Sequence, residues 1–359
     1  MQRAVLCVDR PQDYIPQLGD YSLMVVSPNA SAARKKYLLN QADWSLLITD
    51  HDQQHRGGGD YGDEKILWYT SGTTGDSKFY GFSQAQIDQR LQNLQRSYDI
   101  TANDRYVSVM PLHHAHGQLF YFLSQAVGFE ISFLDIRKIK QLTNFSPTFI
   151  TAIPGVLRLI SHLQLKDLRF IRSASAAMPN ELYHSLKQKF QVPVIEAFGM
   201  TEALSHCFTN PLHGEQRIGT IGLPDGVEAR LDNQHLFLKG AACYQQDWFD
   251  TGDLAQQDDA GYYRILGRSQ EQINVNGFKI NPVSIENQLL RYFADMKECV
   301  VFGSDRLKCL FVGDCTEGRV KEFLCELDAH CNPTFLSQVD FIPCGEIGKI
   351  SRSWLNERY

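Results

Sequence analysis

From Tyr69 to Lys78 the chain reads Tyr69-Thr70-Ser71-Gly72-Thr73-Thr74-Gly75-Asp76-Ser77-Lys78, directly after the apolar run Ile66-Leu67-Trp68. These residue types suit a phosphate: glycines let the backbone approach it, N–H groups and hydroxyls donate to its oxygens, and Lys78 brings charge. The spacing is not that of a Walker A loop, because Gly72 and Gly75 stand too close together and Ser77 precedes the lysine. Five more chemistry-bearing patches follow: Pro111–Gly117, with His113, His114 and His116; Arg172–Pro179; Glu196–Ala203, with Glu202; Asp250–Leu254 running on to Ile265–Arg268; and Gly345–Arg352, with Lys349. A carboxylate such as Glu202 can hold a hard cation, and one such as Asp253 can accept from hydroxyls. The three histidines could ligate a metal, line a pocket or simply pack.

The patches sit where elements end. Leu23–Val26 reads as a buried strand, Ser31–Asn40 as a capped helix and Ser45–Thr49 as a second strand, a β–α–β unit that predicts a parallel sheet. His51–Asp63 is a polar connector. Ser83 caps a helix with the stripe Ile87, Leu91, Leu94 and Tyr98. Strands are expected at Tyr106–Met110, Glu130–Leu134, Thr148–Ile153, Phe170–Ser173 and Val194–Ala197, with a helix at Asn180–Phe190. From Ile218 to Leu266 short strands and glycine-rich turns predict a small β-subdomain. Beyond Gln270 come a hairpin-like stretch, helices near Val283–Phe293 and Val320–His330, and strands Cys299–Phe302 and Leu307–Val312. The fold class is thus α/β: a large layered α/β domain with a small β-subdomain over residues 1–268, and a small α+β domain over 269–359.

The 359 residues carry a net charge of −6, with 43% apolar and 21% charged residues, which fits a soluble globular protein and gives no general attraction to nucleic acid or anionic membrane. No apolar run is long enough to span a bilayer, and the first residues are interrupted too early for a signal peptide. The nine cysteines include no Cys-x-x-Cys pair and have the wrong spacing for common zinc sites. They read as reduced thiols used as small hydrophobes, which points to the cytoplasm.

In this order the six patches resemble the core motifs of the adenylate-forming superfamily, which holds acyl- and aryl-CoA synthetases, adenylation domains of nonribosomal peptide synthetases, and luciferases. The resemblance runs from about Leu23 to the end. It implies ATP-dependent activation of a carboxylic acid to an acyl-adenylate with release of pyrophosphate, then transfer to a thiol. By resemblance, Thr70, Ser71, Gly72, Thr73, Thr74, Gly75 and Lys78 cover the β- and γ-phosphates, Thr201 contacts the α-phosphate, and Glu202 holds Mg²⁺. Phe198, Gly199 and Ala174-Ser175-Ala176 flank the adenine. Asp253 accepts from the ribose hydroxyls beside Arg268. Lys349 is the catalytic cation between substrate carboxylate and α-phosphate. His114 falls at the acyl-pocket wall, Gln270 at a hinge, and Gly277 on the path of a pantetheine thiol, from CoA or from a carrier protein's phosphopantetheine.

Several positions depart from the family pattern. The phosphate loop arrives early, as in a member with a shortened N-terminal region. Ser77 stands where proline is usual, Ser284 where glutamate is common, and Gln270 where aspartate or lysine is usual. Amino-acid-activating relatives carry an aspartate in the segment matching His114–Gly117; this chain has none, which leaves an aryl or short-to-medium acyl acid, with an aromatic acid preferred. Rival readings are transfer to an amine, or a degenerate module that binds nucleotide or acyl groups without turnover. A kinase is disfavoured, since no kinase motif set is present.

Overall fold

The computed structural model describes residues 1–70, 77–343 and 350–359. Contacts gather them into two units: Met1–Glu228 with Lys239–Trp248, and Ala229–Leu238 with Phe249–Tyr359. Of the expected β-subdomain, residues 229–238 and 249–266 group with the C-terminal residues, while 218–228 and 239–248 stay with the first unit.

The first unit opens with β1 (Gln2–Cys7), a strand beyond those expected from the sequence, its apolar run short and flanked by Arg3 and Asp9. It is nonetheless central. β1 lies parallel between β2 (Tyr21–Val25) and β3 (Leu46–Thr49), and α1 (Ala32–Ala42), capped by the Ser31 hydroxyl, connects the outer two. The edge strand β4 (Gln53–His55) forms inside the expected polar connector. β5 (Glu64–Tyr69) runs parallel to β2, and β6 (Phe79–Ser83) returns antiparallel to it, giving the sheet order β4-β3-β1-β2-β5-β6. At Ser83 a reciprocal cap with Gln86 starts α2 (Gln84–Ser97), whose stripe Ile87, Leu91 and Leu94 is buried together with Tyr98.

The second sheet takes β7 (Arg105–Ser108), α3 (Ala115–Val127), β8 (Glu130–Phe133), β9 (Phe149–Ala152), α4 (Pro154–Ile160), β10 (Phe170–Ser173), α5 (Asn180–Phe190), β11 (Val194–Phe198), β12 (Phe208–Thr209) and β13 (Leu223–Pro224). Its order is β13-β12-β11-β10-β9-β7-β8, parallel from β11 to β8 and antiparallel at β12 and β13. Strand alternation builds the layers. Ala4 and Leu6 of β1 join a core with Leu91 of α2, Phe120 of α3 and Phe170 of β10. Val5 and Cys7 face Leu38 of α1, and Ile171 faces Leu157 of α4 and Leu186 of α5. α2 and α3 are therefore sandwiched between two sheets, each covered outside by helices, and strands buried on both faces read as continuous apolar runs.

In the second unit β14 (Glu228–Asp232), β15 (His235–Lys239), β16 (Phe249–Gln257) and β17 (Tyr263–Arg268) form a four-stranded sheet. After it come the hairpin β18 (Ile273–Val275) and β19 (Phe278–Ile280), α6 (Pro282–Tyr292), β20 (Met296–Phe302), β21 (Lys308–Gly313), α7 (Glu317–Leu327), β22 (Phe335–Gln338) and α8 (Arg352–Arg358). Ile285 and Leu289 of α6, Val301, Phe311, and Val320 and Leu324 of α7 share a core with Cys299, Cys309, Cys315 and Cys331. Burial pushes the Cys299 and Cys309 thiols far up, so they remain protonated core residues.

Candidate active site

The arms of the Ser/Thr/Gly-rich loop are β5 and β6. Tyr69 pairs with Phe79, and the Thr70 N–H donates to the Lys78 carbonyl at 3.0 Å, so the strands hold both ends of the loop. Ser71, Gly72, Thr73, Thr74, Gly75 and Asp76 lie outside the described residues. Ser77, where the family usually has proline, is tied to α1: its N–H donates to Tyr37 Oη at 3.2 Å, and its hydroxyl accepts from Arg34 Nη2 at 2.5 Å. A proline could make neither bond. Lys78 is exposed.

The other first-unit patches follow the carboxyl ends of parallel strands. After β10, Ala174 is buried and its N–H donates to Ala152 O at 3.2 Å, while Ser175 is exposed with φ 72° and Ala176 is exposed. After β11 comes half-buried Phe198, then Gly199, where a Cβ would lie 2.1 Å from Ser205 O; the crossing backbone leaves room for glycine alone. Thr201 and Glu202 open the short 3₁₀ turn that follows. The Glu202 Oε1 accepts from Tyr80 Oη at 2.7 Å, and its backbone carbonyl accepts from the Tyr244 N–H at 2.7 Å. The two tyrosine rings meet edge-on at 5.1 Å and 83°. Burial and the neighbouring carboxylate push the Tyr80 phenol above its ordinary range, so it stays a donor.

His114 stands at the N-terminal boundary of α3, with its ring 4.4 Å from that of His113. His116 is separate: it is buried, and its Nε2 lies 3.0 Å from Thr151 Oγ1. Thr151 Oγ1 also accepts from Arg172 Nη1 at 3.1 Å, which links the histidine to the buried guanidinium. Arg172, fully buried, donates through Nε to Tyr98 Oη at 2.9 Å and through Nη2 to His206 Nδ1 at 3.2 Å. A guanidinium can only donate, so the His206 proton sits on Nε2, 2.7 Å from Asp225 Oδ2. Burial pushes the His206 pKa down to about 4, against the pull of Asp225, and holds His116 well below its ordinary value with Arg172 adding to the effect. Among the described residues no three His, Cys, Asp or Glu side chains gather in a way that could hold a metal ion.

In the second unit, Asp253 on β16 pairs with Arg268 on β17, Oδ1 to Nε at 2.9 Å, the carboxylate being almost fully buried. Arg268 Nη1 also donates to Thr251 O at 3.0 Å, and the Thr251 hydroxyl accepts from the Asp253 N–H at 3.1 Å. Gln270 is exposed in a 3₁₀ turn. Asn276 and Gly277, at φ 53° and 91°, make the tight turn of the β18–β19 hairpin, as an Asn-Gly pair favours. Cys344–Lys349, including Lys349, lie outside the described residues. Arg352, three residues past Lys349, is anchored: Nη2 contacts Glu286 Oε1 at 2.8 Å, Nη1 contacts Glu271 Oε2 at 2.6 Å, and Nε donates to Val301 O at 3.0 Å.

Residues 62–238 match the AMP-binding enzyme family. The chain thus carries an AMP-binding domain. It is 29% identical over 352 residues to a probable CoA ligase of Humulus lupulus, covering 84% of this chain and 67% of the relative. It is 29% identical over 342 residues to an oxalate–CoA ligase of Arabidopsis thaliana, covering 81% of this chain and 66% of that one. It therefore spans about two thirds of the length of these relatives. Its fold matches ATP-bound MatB from Rhodopseudomonas palustris with a TM-score of 0.88 at 20% identity, over 100% of this chain and 88% of that one.

For an AMP-binding domain, a single carboxylate such as Glu202 fits Mg²⁺, which is commonly bound by one or two carboxylates plus substrate phosphates and water. One Glu202 oxygen is oriented by Tyr80, and the other accepts no hydrogen bond among the described residues. Residue spacing points neither to Tyr80 nor to Tyr244, and it places Arg172 and Arg352 inside motif patches without indicating the buried network of the one or the pairing of the other with Glu286. Only the replacement of proline by Ser77 was a visible signal, and its consequence lay in α1.

Proposed function

We propose that this chain activates a small carboxylic acid with ATP, releasing pyrophosphate, and passes the acyl group to the thiol of CoA. The observation that carries the reading is the held carboxylate of Glu202, at the end of a parallel strand in a fold matching an ATP-bound neighbour. The CoA-ligase names of the relatives support the acceptor, and the oxalate–CoA ligase supports an acid at the small end of the range.

In this reading Thr70 and Lys78 set the ends of the loop over the β- and γ-phosphates. Thr201 donates to the α-phosphate, and Phe198 with the Ala174–Ala176 backbone flanks adenine. Asp253, oriented by Arg268, accepts from the ribose hydroxyls. Mg²⁺ held by Glu202 would neutralise charge on the phosphates. His114 lines the acyl pocket, and Lys349 neutralises the carboxylate as it attacks the α-phosphorus, expelling pyrophosphate. The thiol then attacks the acyl carbon and AMP leaves, with Gly277 beside the pantetheine arm and Gln270 as hinge. The cytoplasm, which supplies ATP and CoA, fits this chemistry. No helix among the described residues is long and apolar enough to cross a membrane.

The test is thioester formation from a panel of small aliphatic and aryl acids with ATP, Mg²⁺ and CoA, followed by mass spectrometry. Acyl-CoA from at least one acid, absent without ATP, supports the reading. Adenylate that forms but never transfers to CoA excludes CoA as acceptor.

A further inference from the structure

We propose that Tyr80 is a positioning residue for the metal-holding carboxylate of Glu202, an inference that rests on the metal role given to Glu202 above. Tyr80 lies on β6, two residues beyond Lys78, so the strand that closes the phosphate loop also carries this phenol. Its side chain points into the fold with 7% of the residue exposed, alternating with half-buried Phe79 and Gly81. The hydroxyl donates to Glu202 Oε1 at 2.7 Å. The ring is braced edge-on by Tyr244, whose own N–H donates to the Glu202 carbonyl. Glu202 is thus fixed at both its carboxylate and its backbone.

A glutamate has several rotatable bonds, and ordering it on metal binding costs side-chain entropy. The Tyr80 hydrogen bond meets part of that cost before the nucleotide arrives. It also occupies Oε1 and leaves Oε2 as the oxygen offered to the cation, which suits one-oxygen ligation of Mg²⁺.

The experiment is calorimetric titration with α,β-methylene-ATP, without acid so that no turnover occurs, in EDTA and in Mg²⁺. The readout is the metal increment, the ratio of the two affinities. Tyr80→Phe keeps the ring and loses the donor; removal of such an outer partner typically lowers metal affinity roughly 10- to 100-fold, so the increment should shrink while affinity in EDTA stays at the wild-type value. Tyr244→Leu, which retains both hydrogen bonds, should keep most of the increment. In a Glu202→Gln background Tyr80→Phe should have no further effect. An unchanged increment in Tyr80→Phe, or equal losses in EDTA and Mg²⁺, overturns the positioning role and makes Tyr80 a packing residue. A loss in Tyr244→Leu as large as in Tyr80→Phe overturns it too, since packing would then carry the effect. An increment that survives Glu202→Gln refutes the metal role of Glu202 itself, a distinguishable failure.

Discussion

Arg352 offers a prediction whose size follows from the structure. Its side chain is 20% exposed and that of Glu286 13%, and its Nη2 reaches both Glu286 oxygens, at 2.8 and 2.9 Å. Glu286 Oε1 also accepts from the Val301 N–H at 2.7 Å, so the carboxylate joins α6, β20 and the start of α8. Arg352→Met removes the cation and leaves this buried carboxylate with only the backbone donor. Breaking a buried pair from one side costs about 3–5 kcal/mol, whereas replacing both partners with apolar groups is close to neutral. Hydrogen exchange read on peptides from α6, β20 and α8 suits the assay, because it reports local opening without assuming that both units unfold together. At roughly tenfold per 1.4 kcal/mol, Arg352→Met should speed exchange there by about 150- to 4,000-fold, with Arg352→Met/Glu286→Leu recovering much of the protection. Exchange that stays within about fivefold of wild type in Arg352→Met would refute the reasoning.

Acid should destabilise the first unit through His116 and His206. Both are held below the ordinary imidazole value in the fold, His206 to about 4, mainly by burial. The unfolded chain binds protons near pH 6.5 that the fold refuses, so this stability is full above about pH 6.5 and is lost as pH falls towards 4. His206 contributes a slope approaching about 1.4 kcal/mol per pH unit in that window; His206→Gln should lose this share in urea titrations at stepped pH, and an unchanged slope contradicts the assignment. Gly277→Trp should spare adenylation, measured as pyrophosphate exchange, and suppress thioester formation; equal losses in both would refute the role given to this turn.

Periodic, locally determined elements were legible in the sequence. α2 showed one apolar stripe and a reciprocal cap, and α5 matched the expected Asn180–Phe190. α3 was not legible: Leu119-Phe120-Tyr121-Phe122-Leu123 lies between two sheets and is apolar nearly all round, which erases a single-stripe signal. The motif residues were visible because each patch is contiguous in sequence. Their supports were not: Tyr80 and Glu202 stand 122 residues apart, and Arg352 and Glu286 66 apart. Such pairings depend on strand order and register, which residue spacing alone does not encode.

The most direct measurement is acid-dependent ATP–pyrophosphate exchange with pools of small aliphatic and aryl carboxylic acids, run beside Lys349→Ala. The account predicts exchange with at least one pool, Mg²⁺-dependent and abolished in the variant, whose fold is otherwise retained. Exchange at wild-type rates in Lys349→Ala would contradict the catalytic assignment. ATP binding with no exchange from any pool would contradict acid activation itself.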